Sequence, residues 1–97
     1  MATYIVLGNF TEKGIHAVKD TTKRAEAVRA LGKKVGVTVK ELYWTLGRYD
    51  IATIVDAPDE AAITAFGLSI GALGNVRTET LRAFNAEEMG KIIGKLS

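Results

Sequence analysis

Cysteine is absent from all 97 residues, which excludes disulfides, thiolate nucleophiles and cysteine-ligated metals. Histidine occurs once, at His16. No second ligand or carboxylate is tied to it by spacing, so the pattern supports no metal site and assigns His16 to the surface or an interface. Proline also occurs once, which argues against disorder. The longest apolar stretch, Ala61 to Leu73, is too short to span a bilayer and is broken by polar positions. The opening Met1-Ala2-Thr3-Tyr4-Ile5-Val6 lacks the basic start and cleavage site of a signal peptide, and the expected compartment is the cytoplasm. Nor is there a large surplus of one charge. Thirteen basic against 11 acidic side chains leave +2, too little for general attraction to nucleic acid or an anionic membrane.

What is present describes one ordinary globular domain over residues 1–97, with 47% apolar and 25% charged residues. Basic residues gather at Lys19, Lys23, Arg24, Arg29, Lys33 and Lys34, against only Asp20 and Glu26. A run of this kind usually forms a solvated helix face; the competing reading is a surface that meets an acidic partner.

The apolar spacing alternates between two periods. Tyr4 to Phe10 is aromatic and β-branched, as in a strand. Asp20, Thr21 or Thr22 can cap a helix whose stripe is Ala25, Val28, Leu31, Gly32 and Val35, stopped by Gly36. Strands follow from Val37 to Leu46 and from Tyr49 to Asp56, with Gly47-Arg48 suited to a two-residue type II′ turn. Pro58-Asp59-Glu60 starts a helix with Ala62, Ala65, Phe66, Ser69, Ile70 and Leu73 on one side. Val76 to Phe84 is a fourth strand. Asn85 caps a last helix with the stripe Met89, Ile92, Ile93 and Leu96. With right-handed crossovers this β-α-β-β-α-β order, plus a C-terminal helix, predicts an α+β ferredoxin-like plait with an antiparallel four-stranded sheet.

The turn fixes a register, with Leu46 facing Tyr49, Thr45 facing Asp50 and Trp44 facing Ile51. One face then holds Leu42, Trp44, Leu46, Tyr49, Ile51, Thr53 and Val55 and is the expected core. The other holds Val37, Val39, Glu41, Tyr43, Thr45, Asp50, Ala52 and Ile54. On the first strand Ile5 and Leu7 oppose Tyr4, Val6 and Phe10. A sheet wetted on one side alternates apolar and polar residues cleanly. This one does not, so its helix-free face is expected to meet a second copy about a two-fold axis.

No motif requires a cofactor. Gly67-Leu68-Ser69-Ile70-Gly71 lacks dinucleotide spacing and reads as a place where a helix backbone comes close to the sheet or a neighbour. The third strand carries no stacking aromatic beyond Tyr49, contrary to what RNA recognition on a plait needs. The densest polar-aromatic cluster is Tyr43, Trp44, Arg48, Tyr49 and Asp50, joined by Arg77 and Glu79 from the fourth strand. These residues are the candidate ligand-binding site, as a polar pocket floor. The simpler reading is a turn with cross-strand pairs and an inter-subunit ion pair.

Tyr43-Trp44-Thr45-Leu46-Gly47-Arg48-Tyr49-Asp50 resembles the GYD-domain family, as do Phe10-Thr11-Glu12-Lys13-Gly14-Ile15 and the stretch from Gly74-Asn75 to Phe84. Arg48 interrupts the tripeptide that gives the family its name. The resemblance covers essentially the whole chain and implies a dimeric α+β-barrel, two plaits packed sheet to sheet, but no activity. The expected function is a homo-oligomeric module that binds a small ligand or another protein. The alternative, by analogy with distant dimeric barrels, is a cofactor-independent oxygenase or isomerase acting on a small aromatic or cyclic substrate in a pocket of ~300 Å³ or more.

Overall fold

Tyr4, Val6 and Gly8 alternate with Ile5 and Leu7 along β1 (Ala2–Phe10), and the first set is buried. The computed structural model describes residues 1–96. After β1 the chain makes a short helix α1 (Glu12–His16) and a 3₁₀ turn (Val18–Asp20), then α2 (Thr21–Val35). The hairpin β2 (Thr38–Trp44) and β3 (Ile51–Ala57) follows, then α3 (Glu60–Leu73), β4 (Val76–Ala83) and α4 (Ala86–Ile93). The sheet order is β2-β3-β1-β4, all pairs antiparallel, which is the ferredoxin-like plait read from the sequence.

Local chemistry sets the helix ends. Gly36 and Gly74 take the left-handed conformation that closes α2 and α3. Asp59 caps α3 by accepting the Ala62 N–H at 2.8 Å. Asp20 sits at the start of α2 but makes no side-chain cap, since the 3₁₀ turn leads directly into that helix. Helix α1, absent from the sequence reading, is capped by Thr11, whose hydroxyl accepts from Gly14 N–H at 3.1 Å and donates to Gly74 O at 2.6 Å.

The core lies between the sheet and α2 and α3. Its centre is Val55, Val37 and Phe66, with Tyr4, Val6, Ile63 and Ile70 around them. In α3 the buried line is Ile63, Phe66 and Ile70, so the stripe drawn through Ala62, Ala65 and Ser69 lies to one side of the true contact.

Two expectations for the hairpin are corrected. Val39 faces Val55 and Glu41 faces Ile54, so Lys40 is an extra residue in β2, a β-bulge. The bulge reverses the alternation before it, and Val37 and Val39, assigned to the helix-free face, are core residues 1% and 9% exposed. The connection is also wider than a two-residue turn. Trp44 does face Ile51, but Thr45 to Asp50 form a loop, closed by Thr45 N–H to Asp50 O at 2.8 Å. Leu46, assigned to the core, is fully exposed in it, and Tyr49 leaves the core face for β4.

Gly67 and Gly71 do not serve a close approach within the chain, because a Cβ at either would meet nothing within 4 Å. Close approach occurs instead at Gly14, against Asn75, and at Gly32, against Val37. Helix α4 starts on a capping box between Asn85 and Glu88. It has no substantial packing partner, and apart from Glu88 all its residues are exposed. This projection makes the molecule 52 × 30 × 18 Å with a radius of gyration of 14.6 Å, against about 13 Å for a compact chain of this length.

Candidate functional site

The residues singled out at the hairpin separate in three directions. On the helix-free side, Tyr49 reaches across the sheet and donates to Glu79 Oε1 at 2.8 Å, with the Arg48 guanidinium 5.5 Å from its ring. Tyr43 lies on the same face but donates to Glu41 at 2.7 Å. Trp44 turns to the helix-packed side, where its indole N–H donates to Thr21 Oγ1 at 3.0 Å. Asp50 has a local task, since its carboxylate accepts Phe10 N–H and its own N–H donates to Gly8 O, both at 2.9 Å. Arg77 is exposed opposite Asn9 and has no ion pair among the described residues. Arg48, Tyr49 and Glu79 therefore come together, while Tyr43, Trp44 and Asp50 go elsewhere.

Neither tyrosine is prepared as a base. The hydrogen bond to Glu79 raises the Tyr49 phenol above its usual value, with Arg48 opposing, and the bond to Glu41 raises Tyr43. A raised folded-state pKa favours the protonated form. This stabilisation is fully present below the unfolded phenol's value near 10 and is lost as pH rises through the higher folded midpoints. A tyrosinate absorbance titration should thus show two phenols ionising late. Glu79→Ala should return Tyr49 to an earlier midpoint and leave Tyr43 alone; no change would mean the pair does not persist in solution.

On the opposite side of the sheet is a cavity of about 100 Å³. Val6, Leu42 and Ile51 of the sheet form its floor, Val28 of α2 and Phe66 and Ile70 of α3 its roof. Gly8 keeps the floor low, since a Cβ there would come 2.7 Å from Val76 Cγ1. Trp44, 44% exposed, borders solvent at one wall. Besides the threonines Thr21, Thr53 and Thr78, two polar side chains interrupt the apolar lining, Arg24 and Asn75. Arg24 Nη1 and Asn75 Oδ1 are buried, and neither has a hydrogen-bond partner among the described residues.

Sequence reasoning misses both. By sequence Arg24 belongs with a solvated basic face, but its Nη1 is buried at the cavity; Arg29 of the same helix stays exposed and donates to Val39 O at 3.0 Å. Asn75 carries a signal only as part of a family-like stretch. No acidic side chain lines the cavity. The volume is about a third of what the oxygenase or isomerase alternative calls for, and no acid-base pair faces it. Among the described residues no three histidines or carboxylates converge as metal ligands do.

The family model of the GYD domain matches residues 4–93. The chain is 33% identical over 90 residues to the glutamine synthetase and cystathionine beta-lyase binding protein of Thermus thermophilus, covering 92% of this chain and 95% of that protein. Among solved structures, TTHA0845, also from Thermus thermophilus, superposes with a TM-score of 0.58 at 28% identity, over 89% of this chain and 96% of that one. FFRP-DM1 gives a TM-score of 0.63 at 21% identity, over 87% and 100% of the two chains, a likeness of fold.

Proposed function

Because this chain belongs to the GYD-domain family, we propose that it is a self-pairing protein-interaction module that docks on metabolic enzymes in the cytoplasm. The observation that carries this reading is a pair of apolar surfaces with no cover of their own. The first is the helix-free sheet face, where Ile5, Leu7, Ala52, Ile54 and Leu81 form one patch across β3, β1 and β4. Tyr43, Tyr49, Arg77 and Glu79 surround it. An apolar centre within a polar, aromatic and arginine-bearing rim is the composition of a protein interface. A second copy about a two-fold axis is its proposed occupant, and Arg77 then finds its carboxylate across the axis.

The second surface is the stripe of Met89, Ile92, Ile93 and Leu96 on and just beyond α4, exposed away from the sheet. It is proposed as the contact for a client enzyme, as an amphipathic helix laid into a groove. The Thermus relative, named for binding glutamine synthetase and cystathionine beta-lyase, supports clients of that class.

Sedimentation at micromolar concentration should give twice the chain mass. Leu81→Glu, at a site 42% exposed in the single chain, should weaken pairing more than a hundredfold, about 3 kcal/mol, with the circular dichroism unchanged. Ile92→Asp with Ile93→Asp should leave pairing intact and abolish binding to glutamine synthetase or cystathionine beta-lyase in an interferometry assay. A wild-type monomer would end the pairing proposal. Enzyme binding that ignores the α4 changes would end the docking proposal.

A further inference from the structure

The cavity on the helix-packed side of the sheet has a composition that its own chain does not complete. The geometry points to a binding site there for a small carboxylic acid with an apolar body and a hydrogen-bond donor beside the acid group. A buried polar atom is almost always paired, and a buried charge more so. Arg24 presents Nη1 of a permanently charged guanidinium to this space, and a guanidinium is matched best by the two oxygens of a carboxylate. The lining contains no aspartate or glutamate. Asn75 Oδ1, the second orphan, is an acceptor and calls for a donor.

Arg24 is half-buried in the first turns of α2, where Thr21 is tied to Trp44. The backbone of Asn75 accepts Thr11 N–H at 3.1 Å and is packed against Gly14. Most of the remaining lining, Val6, Leu42, Ile51, Phe66 and Ile70 among it, suits a hydrocarbon portion, with the Thr21, Thr53 and Thr78 side chains also at the wall. A volume of about 100 Å³ limits the enclosed part to roughly four to six non-hydrogen atoms, since an apolar cavity of about 150 Å³ holds benzene. Short-chain 2-hydroxy acids meet every requirement. Trp44, which both lines the space and meets solvent, is at the entrance. The site lies across the sheet from the proposed pairing face, so each can fail without the other.

The test is an NMR titration of the ¹⁵N-labelled protein with lactate, propionate and 1,2-propanediol, following the Trp44 indole N–H and the Arg24 side-chain N–H. The expected result is saturable shifts at both probes, with lactate binding at least tenfold tighter than the diol. Propionate, which offers Asn75 no donor, should fall between them. Arg24→Leu should erase the preference for acid over diol while the rest of the spectrum stays in place. If that variant does not fold, the wild-type ranking of acid against diol decides. Equal binding of acid and diol would overturn the proposal. So would shifts confined to the exposed Lys19 and Lys23 that vanish at about 0.15 M salt, or no saturable shift at all.

Discussion

Alanine at position 14 should cost the protein a large part of its stability. Two effects oppose each other there. Gly14 is inside α1, where alanine is the better helix former by about 1 kcal/mol. Yet its Cβ would stand 1.9 Å from Asn75 O and 2.9 Å from Asn75 C, both backbone atoms that no rotamer can move. Relief requires α1 to part from the α3–β4 turn, and with it go the bonds from Thr11 N–H to Asn75 O and from the Thr11 hydroxyl to Gly74 O. Overpacking plus these losses amounts to about 3–5 kcal/mol, well above the propensity gain. That corresponds to a melting temperature lower by roughly 15–30 °C. Urea unfolding of the variant measures it directly, and a midpoint within experimental error of the wild type would show that α1 does not hold Asn75.

Phe66→Ala should be of similar size for a different reason. Phe66 is 1% exposed, central to the core, and also part of the cavity roof. Truncating such a ring costs about 3–5 kcal/mol in lost transfer energy and cavity formation, against a total of about 5–15 kcal/mol for a small domain. The enlarged space should also accept an apolar guest that the wild type holds less well. Benzene in the melting buffer should therefore raise the variant's transition more than the wild type's. An equal rise in both would mean the core collapses onto the missing ring.

The plait itself is legible in the sequence because its signals are periodic. Tyr4 and Val6 against Ile5 and Leu7 mark the faces of β1 correctly, and Gly36, Asp59 and Asn85 mark helix ends where the structure has them. What is not legible depends on tertiary detail. Strict alternation carries Val37 and Val39 to the wrong face, since nothing local to Lys40 announces an extra residue; its side chain simply pairs with Asp56 at 3.5 Å. The Gly47-Arg48 turn is too tight an expectation because Asp50 is held by β1 rather than by its own hairpin. The cavity is hidden for a related reason. A basic residue on a mixed helix face reads as solvated, and only packing shows that Arg24 points inward. The hairpin cluster attracts attention by composition, yet its members serve different faces of the sheet.

One property of α4 has a measurable outcome. A peptide of eight residues is well under the length at which a helix persists in water unaided, even with a good start. Its backbone amides should exchange with deuterium almost as fast as those of an unfolded chain while the strands stay protected. Engagement by a client would slow that exchange and add helical signal. The tail would then be a segment that acquires its shape from whatever it touches, with part of the binding energy spent on ordering it.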